Sequence, residues 1–311
     1  MKRVLLHIGR HKTGTSSIQR ALHENSRLLN RYGYIYPDIY RKKWAHHPLV
    51  HRLSATNDPT EISELSRELD EHLSSDMTNV ISSEAFQNID PSLLSLLFPT
   101  DRFSVKVVCY LREQSDYLRS AYLQEIKAGK ETIDLYRYIE SVDMDYYRFA
   151  LSWREYFHEI VFRLYDKERL YGGSSVGDFF EKILHIHPPA ELLRIDENSS
   201  LTRRYLAFKK IYNSRKDDLK LSAKNFYHSL VSLCREDDSG RFELPTSLSA
   251  DIEERYSDSN ERFFSEFTNG EAFRPRREND YPGDYEMDDE EYETIRLAII
   301  RKARDIETLK R

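Results

Sequence analysis

A lysine between two glycines has the position in this sequence that best fits the binding of an anion. The residues around it are glycines, hydroxyls and further hydrogen-bond donors, in the order Gly9-Arg10-His11-Lys12-Thr13-Gly14-Thr15-Ser16. Glycines allow backbone N–H groups to turn toward one point, and lysine adds a full positive charge there. The stretch therefore predicts a phosphate-binding loop.

A strand and a helix must position this loop. Val4 to Ile8 is a short apolar run typical of a buried strand, and Ile18, Ala21 and Leu22 recur at helical spacing after the loop. The hydroxyl residues between them favour a helix start, so the positive end of the helix dipole lies over the loop. The order differs from the nucleotide triphosphatase pattern GxxxxGK[ST], because Lys12 precedes the last glycine. A kinase or an ATPase is therefore not the first interpretation.

A second pair of residues suits another phosphate. Arg112 ends the apolar, β-branched run Phe103 to Leu111, and Ser120 follows eight residues later within a helix predicted from about Ser115 to Lys127. A guanidinium group binds a phosphate with two hydrogen bonds, and a hydroxyl adds one more. We expect both side chains to stand on rigid elements beside the first strand.

Three residues are candidates for a general base. Glu84 follows the predicted strand Asn79 to Ser83, at the carboxyl end, where open α/β sheets bind their ligands. His46 and His47 lie between Pro37 and Pro59, in a segment with many aromatic and titratable residues. The position of Glu84 follows from its strand, and Glu84 is therefore favoured, with His46 and His47 as alternatives.

The alternation of strand and helix patterns predicts an α/β fold with three layers, in which helices flank a central, mostly parallel sheet. We expect one domain over residues 1–311. It has an α/β nucleotide-binding core over 1–185 and a mainly helical part over 186–311. The predicted strands lie near residues 4–8, 32–36, 79–83, 103–111 and 160–165, and the later helices near 206–224, 249–267 and from 288 onward.

Composition excludes several classes of protein. The 311 residues are 39% hydrophobic and carry a net charge of −6, which argues against a nucleic-acid partner. The two cysteines have no zinc spacing, so we expect no metal. No stretch is apolar enough to predict a membrane span, and the first apolar run is too short for a signal peptide. These features predict a cytoplasmic protein.

From Val4 to about Leu184 the chain resembles bacterial sulfotransferases that act on carbohydrates and use 3′-phosphoadenosine 5′-phosphosulfate (PAPS). The motifs that carry the resemblance are, in family order, Gly9-x-x-Lys12-Thr13-Gly14-Thr15-Ser16, Ser82-Ser83-Glu84, Arg112-x7-Ser120, tyrosines before Trp153-x3-Phe157, and Asp178-Phe179-Phe180. The resemblance implies a P-loop-like fold and PAPS as donor. The implied donor-binding residues are Arg10, His11, Lys12, Thr13, Gly14, Thr15 and Ser16 for the 5′-phosphosulfate, and Arg112 and Ser120 for the 3′-phosphate.

The resemblance also implies an acceptor with a hydroxyl group, such as a saccharide or a glycolipid. Lys12 would act on the leaving group, and the segment from Pro37 to Pro59, with Tyr40 and Trp44, is a candidate to bind the acceptor. Two alternatives stay open, a P-loop nucleotide kinase and a non-catalytic nucleotide-binding module. A kinase would need a Mg²⁺-binding aspartate after an apolar strand and a lysine directly before the loop's Ser or Thr, and neither is evident.

Overall fold

The structure is a computed structural model that describes residues 1–10, 12–129, 134–194, 201–216, 219–274 and 283–308. Its centre is a five-stranded sheet in which every paired strand runs parallel to its neighbours, in the order β2-β3-β1-β4-β5. The strands are β1 (Lys2–His7), β2 (Tyr34–Ile35), β3 (Thr78–Ser82), β4 (Phe103–Leu111) and β5 (Glu159–Leu164).

Thirteen α-helices occur in the described part of the chain, and most connect the strands or follow them. They are α1 (Thr15–Glu24), α2 (Ser26–Arg31), α3 (His47–Ser54), α4 (Pro59–His72), α5 (Pro91–Leu97), α6 (Gln114–Lys127), α7 (Leu135–Ser141), α8 (Tyr146–Arg154), α9 (Ser175–Asp178), α10 (Arg203–Arg215), α11 (Ala223–Cys234), α12 (Thr246–Phe267) and α13 (Asp289–Thr308). A 3-10 helix, Glu84–Asn88, follows β3, and a π-helix, Phe179–Ile183, continues α9. Within the described ranges no helix is both long enough and apolar enough to cross a bilayer.

Both faces of the sheet are buried. Val4 and Leu6 lie on one face of β1 and Leu5 and His7 on the other, and each is at most 3% exposed. On the second face Leu5 packs in a cluster with α1, α9 and the π-helix. Because both sides are buried, the parallel strands appear in the sequence as continuous apolar runs. The parallel sheet flanked by helices confirms the expected α/β fold class.

Parallel strands bring their carboxyl ends to a single edge. The register pairs His7 with Ser82 and with Val108, so β1, β3 and β4 end near one another. The loop after β1, the 3-10 helix after β3 and Arg112 after β4 therefore start from the same edge, where open parallel sheets bind ligands.

Contacts divide the chain into two compact units. The first contains the sheet and comprises the described residues within Met1–Glu113, Met144–Glu197 and Arg255–Pro275. The second is helical and comprises those within Gln114–Asp143, Asn198–Glu254 and Arg276–Arg311. In the second unit α11 packs against α13, and α6 against α10. The expectation of one domain over residues 1–311 stays a prediction.

Some helices differ from the predicted ones. The predicted helix 206–224 is α10, which ends at Arg215, and a separate helix, α11, begins at Ala223. The segment after Pro37 contains the helix α3. The acidic and aromatic residues Asp143-Met144-Asp145-Tyr146-Tyr147 lead into α8, which begins at Tyr146. Asp145 caps α8 by accepting a hydrogen bond from the backbone N–H of Arg148, a local signal that the apolar pattern does not show.

Candidate active site

The loop between β1 and α1 has two residues in the left-handed conformation. Lys12 has φ 69°, and Gly14, the N-cap of α1, has φ 77°. No side chain caps α1, and its first turn contains no acidic residue. The helix N-terminus therefore offers backbone N–H groups and positive partial charge without an acidic side chain of its own, as an anion site requires.

Gly14 is required by space as well as by conformation. A Cβ atom at this position would overlap Oγ of Ser175 and approach its Cβ at 2.9 Å. Ser175 begins α9, a helix held by the fully buried Asp178, whose carboxylate accepts two hydrogen bonds from Arg163, at 2.7 and 3.0 Å. Tyr110 on β4 donates a third, at 2.9 Å. The loop therefore packs at Gly14 against the start of a helix that a buried ion pair anchors.

The hydroxyl groups of the loop divide into inward and outward ones. Thr13 is fully buried and donates to the carbonyl oxygen of Arg10 at 2.6 Å, and Thr15 donates to the same oxygen at 3.3 Å. Ser16 is exposed. The side chains of Thr13 and Thr15 hold the shape of the loop, whereas Ser16 faces solvent. His11 lies outside the described residues.

Arg10 extends from the loop across two other elements. Its guanidinium carbon lies 5.3 Å from the ring centre of Tyr146 and 4.9 Å from that of Phe149, both on α8. Its Nε donates to Oε1 of Gln87 at 3.2 Å. The side chain thus connects the loop to α8 and to the 3-10 helix after β3.

Arg112 contacts the loop directly. Its Nη1 donates to the carbonyl oxygen of Lys12 at 3.2 Å, and its guanidinium carbon lies 5.6 Å from the ring centre of Tyr165. The hydroxyl of Tyr146 donates to the Arg112 carbonyl oxygen. Ser120 lies on α6 in the second unit. Its assignment to the 3′-phosphate stays a prediction from the sequence.

Glu84 lies at the same edge and is linked to α1. Gln19, 3% exposed, donates from Nε2 to Oε2 of Glu84 at 2.8 Å. The other carboxylate oxygen, Oε1, lies 3.7 Å from Nε2 of His47. The Glu84 side chain is 17% exposed.

A serine orients His47. Nδ1 of His47 lies 2.7 Å from Oγ of Ser83, and this oxygen also accepts from the backbone N–H of Ala85 at 3.2 Å. If the serine hydroxyl directs its own proton to Nδ1, the neutral imidazole carries its proton on Nε2, toward Glu84. His47 is 37% exposed and connects this cluster to solvent.

His46 is buried and fully hydrogen-bonded to the backbone. It is 1% exposed, its Nε2 lies 3.0 Å from the carbonyl oxygen of Pro37, and its Nδ1 accepts from the N–H of Ser82 at 3.2 Å. Burial lowers the pKa of His46 to about 4, so the ring is neutral in an ordinary assay. Both nitrogens are engaged, and this leaves Glu84 and His47 as the candidates for the base.

His7 lies beside the loop between β1 and α1. Its Nδ1 is 2.8 Å from Oγ of Ser82, and its Nε2 is buried without a hydrogen-bond partner in the described structure. A Cβ atom on Gly9 would come within 2.7 Å of that Nε2. Burial lowers the pKa of His7 to about 4, with the charge of Glu84 acting in the opposite direction. The neutral imidazole therefore leaves no room for a side chain at Gly9.

The segment from Pro37 to Pro59, the candidate to bind the acceptor, contacts other residues of the first unit. Cations of Arg20 and Lys43 each lie 5.5 Å from the ring centre of Trp44, and Tyr36 donates to the Trp44 carbonyl oxygen. The hydroxyl of Tyr40 hydrogen-bonds to Glu68. These rings have partners within the protein, and the role of the segment in acceptor binding stays a prediction.

Sequence reasoning missed the residues that join the motifs. Gln19 and Glu84 are 65 positions apart, and Gly14 and Ser175 are 161 positions apart, so no local pattern relates them. Asp178 and Arg163 carried a weak signal, because an aspartate in an apolar helix and an arginine in an apolar strand each need a buried partner.

Comparison with known proteins adds little to this geometry. No protein-family model matches the chain. An uncharacterized protein of Archaeoglobus fulgidus is 29% identical over 199 residues, which are 60% of this chain. The match spans about half (53%) of that protein's length.

Two solved structures are similar to the chain at low identity. A sulfotransferase from Alicyclobacillus acidocaldarius has a TM-score of 0.43 and 13% identity, over 85% of this chain and 95% of that one. A sulfotransferase domain from the curacin biosynthetic pathway has a TM-score of 0.42 and 12% identity, over 83% and 98%.

Proposed function

We propose that the protein is a sulfotransferase that moves a sulfuryl group from PAPS to a hydroxyl group, on a saccharide or a glycolipid. The observation that carries the proposal is the hydrogen bond that Nε2 of Gln19 donates to Oε2 of Glu84, the candidate base, at 2.8 Å. Gln19 lies on α1, the helix that follows the donor loop, residues 9–16, where we place the sulfuryl donor. The helix that follows the lysine-containing loop is thus hydrogen-bonded to the carboxylate of Glu84. The lysine and the carboxylate are the pair of groups that sulfuryl transfer to a hydroxyl needs.

The loop residues fit a 5′-phosphosulfate group. Lys12 supplies a full positive charge, and the uncapped start of α1 supplies N–H groups from Gly14 onward. The side chain of Ser16 is exposed and can add a hydrogen bond, whereas those of Thr13 and Thr15 support the loop from within. Arg112 donates to the Lys12 carbonyl oxygen and so helps to fix the lysine backbone.

PAPS supplies an activated sulfuryl group, and the protein residues supply position and charge. The acceptor oxygen forms a bond to sulfur while the bond from sulfur to the 5′-phosphate oxygen breaks. Glu84 takes the acceptor's proton, and Lys12 stabilises the negative charge that develops on the departing phosphate. Catalysis is then mainly positioning and charge stabilisation, as in phosphoryl transfer.

The test is a transfer assay with ³⁵S-labelled PAPS and three acceptors, a neutral oligosaccharide, a uronate-containing oligosaccharide and a simple phenol. We expect the wild-type protein to label at least one of them. Glu84→Gln should lower turnover by at least ~100-fold, since a positioned base contributes that much or more. Affinity for adenosine 3′,5′-bisphosphate should persist in this variant.

Glu181→Gln is the matched control, because Glu181 also lies beside a histidine, His187, at 3.1 Å. It should leave turnover unchanged. Normal turnover in Glu84→Gln combined with loss in His47→Gln would transfer the role of base to His47. Binding of the bisphosphate without transfer to any acceptor would favour a non-catalytic nucleotide-binding module.

A further inference from the structure

Gln19 is a buried polar residue with no role in the sulfuryl transfer described above. It lies five positions after Gly14, on α1, and is 3% exposed. Its amide donates to Glu84 at 2.8 Å. A hydrogen bond donated to a carboxylate stabilises the ionised form, which is the form that accepts a proton.

Among the described residues, three hydrogen bonds that the structure shows join the 3-10 helix Glu84–Asn88 and the preceding residue to the chain around the donor loop. The backbone N–H of Ser83 donates to the carbonyl oxygen of His7 at 3.1 Å, and Arg10 donates to Gln87 at 3.2 Å. The third is the bond from Gln19 to Glu84. The first two fix the backbone and one end of the short helix, and Gln19 is the member of this set that reaches the carboxylate.

The titratable groups around Glu84 come from three elements. Nε2 of His47, on α3, lies 3.7 Å from the carboxylate. His7, on β1, and Tyr36, after β2, also feel its charge. Burial lowers the pKa of His7 to about 4 and raises that of Tyr36, so both stay neutral in an ordinary assay. Neither His7 nor Tyr36 therefore changes the charge beside Glu84 in that range.

We propose that Gln19 is the positioning residue for the catalytic base, orienting the Glu84 carboxylate through this hydrogen bond from the same helix whose N-terminus binds the donor. This inference rests on the proposed function of Glu84. The buried amide of Gln19 then links the donor loop to Glu84, the group that activates the acceptor. A residue with a purely structural role would stabilise the fold without changing how the base titrates.

The first test is the pH dependence of kcat/KM for Gln19→Met, which keeps the size of the side chain and removes the donor. We expect the acidic limb to move to higher pH by about one unit, because the ionised carboxylate loses a hydrogen bond. Affinity for adenosine 3′,5′-bisphosphate should stay within about twofold, since the donor loop is intact. In the Glu84→Gln background the same substitution should have no further effect on the profile.

Gln19→Glu is the second variant, and it preserves the shape of the side chain. Two carboxylates in contact disfavour double ionisation, so the limb should move further than in Gln19→Met. An unmoved limb in both variants would overturn the proposal. If Gln19→Met does not fold, the profile of Gln19→Glu alone decides, since the proposal requires its limb to move.

A readout without turnover separates this inference from the proposed function. Carboxyl carbons of ¹³C-labelled glutamate are titrated by NMR, and Glu84 is assigned from the signal lost in Glu84→Gln. The titration midpoint of Glu84 should rise in both Gln19 variants even if the protein transfers no sulfuryl group. A wild-type protein inactive with every acceptor would contradict the proposed function, whereas an unchanged midpoint would contradict the role of Gln19.

Discussion

Replacement of Gly14 by alanine tests whether the donor loop is shaped by its contact with α9. The glycine has φ 77°, and a Cβ atom there would overlap Oγ of Ser175. Two costs therefore add. The left-handed conformation costs a residue with a side chain about 1–2 kcal/mol, and forcing an extra methyl group into a packed site costs about 1–3 kcal/mol.

Gly33→Ala isolates the first cost. Gly33 has φ 79°, and nothing lies within 4 Å of where its Cβ atom would stand. We expect Gly33→Ala to lower the free energy of unfolding by about 1–2 kcal/mol and Gly14→Ala by about 2–5 kcal/mol. The double variant Gly14→Ala/Ser175→Gly removes the overlapping atoms and should recover the packing part of the loss.

The assay is urea unfolding of the four proteins, with calorimetric titration of adenosine 3′,5′-bisphosphate beside it. Gly14→Ala should also weaken binding of the bisphosphate, because the loop must shift to accommodate the methyl group. Gly33→Ala should bind it normally. Equal destabilisation by Gly14→Ala and Gly33→Ala, with no recovery in the double variant, would refute the close approach of the loop to Ser175.

Four further substitutions test the remaining parts of the site. Lys12→Ala should fold and lose at least ~100-fold in sulfuryl transfer, because one preorganised charge at a developing anion is worth about 3 kcal/mol; near-normal transfer would show that the loop does not hold the donor. Ser120→Ala should weaken binding of adenosine 3′,5′-bisphosphate and spare adenosine 5′-monophosphate, whereas Arg112→Ala should weaken both, since it also loses the bond to the Lys12 carbonyl oxygen; equal losses for both ligands in Ser120→Ala would contradict the 3′-phosphate assignment. Burial lowers the pKa of His46 to about 4, from about 6.5 in an unfolded chain. Because the unfolded chain then binds the proton more readily, this contribution to the free energy of unfolding is complete above pH ~6.5 and decreases by up to about 3 kcal/mol as the pH falls to 4. Chemical unfolding at a series of pH values should show a smaller decrease for His46→Gln, and an identical pH dependence would contradict the burial of a neutral ring.

Local signals explain what the sequence predicted well. The corner from Val4 to Leu22 is encoded by an apolar run, two glycines and a helical repeat within twenty residues, and β1, the loop and α1 follow that order. The position of Glu84 was also predictable, because it depends only on where β3 ends. Such features need no knowledge of long-range contacts.

The parts that were missed depend on contacts far apart in sequence. His46 and His47 are adjacent, and the sequence offered both as bases, yet His46 is tied to the backbone and His47 lies beside Glu84. The path of a connecting segment decides such a difference, and no periodic pattern encodes that path. The role of Gln19 likewise could not be predicted from its sequence neighbours, because its partner, Glu84, is 65 residues away.

The most direct test of the central claim is the nucleotide preference of the wild-type protein. Adenosine 3′,5′-bisphosphate and ATP with Mg²⁺ are titrated separately into the same preparation by calorimetry, with Lys12→Ala as the variant that should lose binding. A donor site for PAPS predicts that the bisphosphate binds more tightly than ATP and that Lys12→Ala weakens its binding. Tighter binding of ATP, or equal binding of the bisphosphate by Lys12→Ala, would contradict a PAPS site at this loop.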